Sequence, residues 1–425
     1  MRLNGVFFAG LVTGLAAVLL SVSVRAHLPE YFGRRFVLEP ADFDERNVPP
    51  PPCAATQERE SRRRDAEQET QRLKRRMLEE GVYSPGLADA LGELAGLYAA
   101  NCNHPAALRN FRDAVQRLRI SEGLLTKSQL PYLKAQARSS LAIGDSRSAQ
   151  LTMRQVFRIQ GLGQGELDEK AVQDSLEYFA FARRIFVDPR RRGDLELFFQ
   201  AFRDNQNMLQ AQESLDVASR AQLDAIAMSQ LYNYYLILGT DLAAEQSMST
   251  GANAFTTAVY SMQKLAYSKG LALIERMLKR NAKASAKSAA QRARLLLEQG
   301  NWHMWNGKSQ SACASYVGAW ALAEGETGLA LRRQLQQPAE LPEAEPLWRY
   351  LLAEDLPLKG RLEASFLVSA RGDVSAMDAE PLDDGSEGAA FTVGRWLRDS
   401  HMRPAVVDGS CVDSGLRGRR YRLFK

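Results

Sequence analysis

The side chains best suited to chemistry are concentrated in LLLEQGNWHMWNGKSQSACASYVGAWAL, residues 295 to 322. It holds Trp302, Trp305, Trp320, His303, Cys313 and the tripeptide Gly307-Lys308-Ser309. A Gly-Lys-Ser can close a phosphate-binding loop, whose backbone amides curl round the anion between a strand and a helix. That loop needs an earlier glycine at position 302, which is Trp302, and the residues before it have helical rather than strand spacing. His303 could act as a base, but it falls at an interior position of the helical pattern, which predicts a packed, hydrogen-bonded imidazole. Cys313 beside the small Ala312 reads as a buried small side chain. The tryptophans and Tyr316 read as knobs between helices rather than a ligand cage.

Other candidates fail on spacing. GLGQG at 161 to 165 lacks the full dinucleotide fingerprint and a preceding strand, which predicts an interhelical loop. Ser261 and Lys264 form one SxxK without the companion motifs of acyl-enzymes. Arg192-Gly193-Asp194 and Arg371-Gly372-Asp373 read as turns, and neither HExxH nor GxSxG occurs. Cys53, Cys102, Cys313 and Cys411 show no metal-ligand spacing, so zinc is not expected, while one or two disulfides of open connectivity are. The expectation is a protein without catalytic residues, metal or cofactor. The alternative is an enzyme whose site lies in 165 to 255, where no motif is recognisable.

Composition narrows the partners. Across 425 residues, 55 Lys and Arg face 50 Asp and Glu, and the small excess is scattered. The run QERESRRRDAEQETQRLKRRMLEE mixes both signs at helical spacing and reads as a solvated helix, so nucleic acid is not expected. The first 26 residues carry Arg2 and an uncharged run from Val6 to Val24, followed by Arg25 and Ala26. This pattern suits an export signal cleaved before His27 or an uncleaved anchor, and either places the remainder on the exported side of a membrane. Membrane contact is then expected only through residues 1 to 26. No Asn-x-Ser/Thr sequon occurs, which leans toward a bacterial envelope.

The elements that would position these residues follow from periodicity. Residues 27 to 56 lack it and end in Pro49 to Pro52, which predicts a linker. From 57 to 335 apolar residues recur at spacings of three and four, which predicts helices almost throughout. In LGELAGLYAANCNHPAALRNFRDA, Leu91, Ala95 and Tyr98 share one helix face and Ala107, Phe111 and Ala114 another, with Asn103-His104-Pro105 as the turn. Small residues stand where two helices would approach and larger ones fill the surroundings. This resembles the tetratricopeptide repeat, a 34-residue helical hairpin. Leu296, Gly300 and His303, then Ala312, Tyr316 and Ala319, fall on the same frame around Asn306-Gly307. A weaker unit pairs Leu133 and Ala137 with Ala149, Met153 and Val156 across Gly144-Asp145, and YSKGLALIERML from Tyr267 reads as the second helix of another. Residues 165 to 255 are helical without a visible repeat. The resemblance implies a groove for a peptide or partner helix, with Asn110 and Arg112 as candidate lining residues.

Beyond 335 the composition shifts to a proline-marked linker, 336 to 357, and then to alternation over 358 to 425. LEASFLVSARGDVSAMDAEP reads as a hairpin with Leu362, Ala364, Phe366 and Val368 on one face; GSEGAAFTVGRWLRDS reads as a helix and GRRYRLF as a last strand. This strand, strand, helix, strand order, with MRPAVVDGSCV before the last strand, resembles the carboxy-terminal domain of the TonB energy-transducer family. The resemblance implies partner-strand addition at the edge formed by Tyr421, Leu423 and Phe424. Ser23 and His27 repeat a spacing found in transducers, but at the far end of the apolar run, and no long proline-rich spanner follows. As a whole the chain resembles exported repeat proteins of Gram-negative envelopes. The fold expected is mainly α, an α-solenoid of degenerate tetratricopeptide-like hairpins followed by a small ββαβ domain. The function expected is a noncatalytic periplasmic adaptor for a protein or peptide, with a membrane-anchored transducer-like linker as the alternative.

Overall fold

The computed structural model describes residues 36–38, 56–79, 86–160, 167–187, 195–215, 219–239, 254–282, 286–341, 358–386, 388–399 and 402–424. The amino-terminal apolar run, Cys53, GLGQG and the first Arg-Gly-Asp lie outside them. Among the described residues, a short strand at 36–38 is followed by twelve α-helices: α1 (Thr56–Glu79), α2 (Leu87–Ala100), α3 (His104–Glu122), α4 (Leu130–Ala142), α5 (Ser146–Ile159), α6 (Glu169–Val187), α7 (Leu195–Leu215), α8 (Arg220–Gly239), α9 (Ala254–Arg280), α10 (Ala286–Trp305), α11 (Ser309–Leu322) and α12 (Gly325–Leu335).

These helices pair as antiparallel hairpins, α2/α3, α4/α5, α6/α7, α8/α9 and α10/α11, resembling tetratricopeptide repeats. Local chemistry starts them. The Asn103 side chain accepts from the Ala106 amide at 3.3 Å to open α3, with Pro105 in the first turn, where its missing N–H costs nothing. Asp145 does the same for α5 through the Ser148 amide at 3.0 Å. Residues 165 to 255, where the sequence shows no repeat, build α6, α7 and α8 as further members of the stack. One continuous apolar cluster runs through them, joining Phe157, Tyr178 and Phe198 to Tyr235, Met277 and Trp302.

Close approach within and between hairpins is set by glycine against aromatic. A Cβ at Gly92 would lie 2.1 Å from the Tyr132 ring, at Gly270 2.3 Å from Trp302, and at Gly300 2.2 Å from Tyr316. Each ring therefore rests directly on a neighbouring backbone.

The carboxy-terminal part holds β2 (Ala339–Glu340), β3 (Leu358–Val368), β4 (Val374–Pro381), α13 (Ala389–Asp399), β5 (Met402–Arg403), β6 (Ala405–Val407), β7 (Ser410–Val412) and β8 (Ser414–Phe424). Leu362, Ala364, Phe366 and Val368 alternate into a core with Val393, Leu397, Met402, Tyr421 and Leu423. Gly372, at φ 86°, turns the β3–β4 hairpin against the Met402 carbonyl, where a side chain would not fit.

Four expectations are corrected. The stretch 27 to 56 is not only a linker: Phe36–Leu38 forms β1, antiparallel to β8, pairing Phe36 with Leu423, Val37 with Arg422 and Leu38 with Tyr421. The sheet order is β1-β8-β3-β4, so Tyr421 and Leu423 lie between two strands rather than on a free edge, and Phe424 pairs with Leu358. The linker expected at 336 to 357 is structured at its start, where Ala339 pairs with Arg403 and Glu340 with Met402. Cys313 is no lone buried thiol but is bonded to Cys411, because it faces the β6–β7 hairpin while Ala312 faces the helical interior. Cys102 is also disulfide-bonded.

Gly300→Ala should lower stability by about 1–3 kcal/mol through overpacking against the fully buried Tyr316. Gly96→Ala, exposed in α2 with open space around it, should instead raise stability by about 0.5–1 kcal/mol. Urea unfolding of the two variants checks both signs.

Candidate functional site

The residues expected to pack between helices are inside. Ala95, Ala107, Ala114, Ala312, Tyr316 and Ala319 are fully buried, Leu91, Phe111 and Gly300 are buried, and Tyr98 and Leu296 are half-buried. His303 is buried, and its Nδ1 lies 3.1 Å from the Tyr267 hydroxyl. Burial lowers its pKa, with the Glu275 charge partly opposing. Trp302 donates from Nε1 to the Tyr267 carbonyl at 3.0 Å and meets the Tyr235 ring edge-on at 4.7 Å. Asn110, on the second helix of its hairpin, donates to the Ala106 carbonyl at 2.9 Å, and Arg112 beside it is exposed.

Charged and polar side chains of the first helices link one hairpin to the next. Between α2 and α4, the Tyr132 hydroxyl donates to Asp89. Between α4 and α6, the Lys134 Nζ donates to Asp174 at 2.6 Å and to Glu177 at 2.8 Å. Between α6 and α8, Arg183 Nη1 donates to the Ser229 carbonyl, the Ser229 hydroxyl and Asn233, each at 3.0 Å. Between α8 and α10, the Tyr235 hydroxyl donates to Glu298 at 3.0 Å. Every adjacent pair in the series α2, α4, α6, α8, α10 thus carries a polar tie.

The second helices are tied in places. Arg154 of α5 donates to Asp204 of α7 at 2.9 Å and to Gln200 at 2.8 Å, with the Tyr178 hydroxyl also on Asp204 at 3.3 Å. Arg280 of α9 reaches Glu213 of α7 and Asp224 of α8, both at 3.0 Å.

Electrostatics follow this geometry. Burial disfavours the Lys134 ammonium, but its hydrogen bonds to Asp174 and Glu177 outweigh that and raise its pKa. Burial raises Tyr178 and Tyr235, reinforced by Asp204 and Glu298 respectively. Burial likewise raises Tyr132, helped by its bond to Asp89. These phenols stay protonated as donors, which is what a structural tie requires. Among the described residues no group of three or more His, Cys, Asp or Glu side chains is placed to hold a metal ion.

Lys134, Asp174, Arg154, Asp204 and Arg183 belong to no motif recognisable from residue spacing. A signal was present: Asp174 and Glu177, three apart, share one face of α6.

Asp204→Ala should destabilise the protein by about 1–2 kcal/mol, since it strips partners from Arg154 and from buried Tyr178. Half-exposed Arg154 can recover part of that loss in water. Chemical denaturation reads the change; a loss under about 0.5 kcal/mol would show that the tie carries little.

No protein-family model and no curated protein matches the chain. Among solved structures it is similar to BtubC (BKLC) from P. vanneervenii, at 14% identity and a TM-score of 0.34 over 62% of this chain and 90% of that one. It is also similar to the Podosopora anserina putative kinesin light chain with nearly identical TPR-like repeats, at 16% identity and a TM-score of 0.30 over 56% of this chain and 96% of that one.

Proposed function

We propose that this chain is a noncatalytic scaffold that binds a protein or peptide along its first helices, α2, α4, α6, α8 and α10. The observation that carries the reading is the unbroken series of polar ties between those helices, which fixes five of them side by side. A partner laid across such a surface meets side chains already positioned, so less ordering entropy is lost on binding. Among the described residues of 165 to 255, Asp174, Arg183 and Asp204 are engaged from helix to helix.

The scaffold belongs, in this reading, to an exported compartment of a bacterial envelope. The apolar run near residue 1 favours it, and the Cys313–Cys411 disulfide is a bond that oxidising compartments preserve. A transducer-like role for β8 is disfavoured, because β1 and β3 flank Tyr421 and Leu423.

The test places a photo-crosslinking residue in living cells at Glu93, Arg138 or Gln173 on the first helices, and at Arg112 or Arg203 on the second. All five are exposed. One partner captured from the first-helix positions and not from the second is the expected result. Capture only from α3 and α7, or none under any growth condition, would overturn the assignment.

A further inference from the structure

The carboxy-terminal sheet joins the last helical hairpin through a junction that holds a buried carboxyl group. Strand β2 begins four residues after α12 ends and pairs with β5, so the chain leaving the helices enters the sheet region at Glu340. The Glu340 side chain is 1% exposed, Oε1 accepts from the Tyr421 hydroxyl, and Oε2 is buried without a hydrogen-bond partner. Tyr421 is itself fully buried in the sheet core, beside Leu362 and Met402. The junction therefore places one ionisable acid between the helical stack and the centre of the sheet.

Other contacts surround it. Buried Arg403 on β5 donates from Nη2 to the Gln334 carbonyl at 3.1 Å at the end of α12. Leu341 and Val406 complete an apolar cluster with Tyr316, Leu331 and Leu335. At a separate point, the disulfide bonds Cys313 of α11 to Cys411 of β7.

We propose that Glu340 and Tyr421 form a proton-controlled latch, which seats the sheet on the last hairpin while Glu340 is neutral and loosens it when Glu340 ionises. The disulfide keeps the two parts tethered in either state. The proton balance is simple: the closed form holds the carboxylic acid, and opening releases one proton to water and leaves a hydrated carboxylate. Charged and titratable groups stand near Glu340 on β8 and β5. β8 supplies Tyr421 and Arg419, which act on it; on β5, Arg403 stands opposite the neighbouring Ala339 and is held by the Gln334 carbonyl. Burial pushes the carboxyl up to about 7, while the Arg419 charge and the Tyr421 hydrogen bond pull the other way without overcoming it.

The sign follows. A carboxyl raised in the closed form stabilises closure fully below its free value of about 4.3, and that contribution is lost as pH rises through about 7 and levels off beyond. The opening constant should therefore grow by a factor on the order of fifty to one hundred between pH 5 and pH 8.

Hydrogen exchange on the full-length, oxidised protein, normalised for intrinsic rates, tests this directly. Peptides covering 336–341 and 402–407 should lose protection across that range while 87–122 stays level. Glu340→Gln, a neutral isostere, should abolish the pH dependence. Tyr421→Phe should move the midpoint upward, since it removes a hydrogen bond that favours ionisation. A wild-type junction equally protected at both pH values would overturn the latch. So would a slope that survives in Glu340→Gln.

Discussion

How near two helices can come is the constraint on which the helical region depends, and here the aromatic ring on a bare glycine sets it. Tyr132 lies on Gly92, Trp302 on Gly270 and Tyr316 on Gly300. With a side chain at any of those glycines, the ring or the facing backbone would have to shift. That shift would weaken the ties that the same rings make, from Tyr132 to Asp89 and from Tyr316 to Asn301. At the α2–α4 step the polar tie thus follows from apolar close packing, with the hydrogen bond selecting the register that packing permits.

The same logic governs the end of the stack. A solenoid must cover the apolar face of its last hairpin, and here the covering comes from α12, Leu341 and Val406, the last contributed by the sheet region. The carboxy-terminal part is therefore a cap as well as a domain. Its seat combines an apolar patch, a two-residue strand pair and a buried acid, reinforced by a covalent bond closing 98 residues of chain. Burying Glu340 costs stability at neutral pH, and the neighbouring apolar contacts and the disulfide offset that cost.

Much of this was legible in the sequence where small and large residues alternate at helical spacing. Ala95 with Ala107, and Gly300 with Tyr316, announce their hairpins because close approach admits few other residue types. The α6/α7 hairpin and α8 were not legible, although YSKGLALIERML within α9 read as a second helix. Their contact positions carry Phe198, Phe202, Tyr234 and Tyr235, and bulky residues there give no repeat signature although they fill the same space. Strand β1 was hidden for a different reason: three residues, Phe36–Leu38, show no periodicity, and their pairing depends on a strand nearly four hundred positions away. The Cys313–Cys411 bond and the Glu340–Tyr421 contact are likewise products of long-range topology. The first-helix ties were half visible, as charged and phenolic side chains without any indication of their partners.

The central claim is that the first helices form one connected surface because their side chains are energetically coupled. A double-mutant cycle across Lys134→Met and Asp174→Asn measures this at the α4–α6 step, where both groups are largely shielded from water. The account predicts a coupling energy of about 1–2 kcal/mol in equilibrium unfolding. Strict additivity of the two substitutions would contradict it, leaving the hairpins stacked by apolar contact alone and the proposed binding face without its fixed frame.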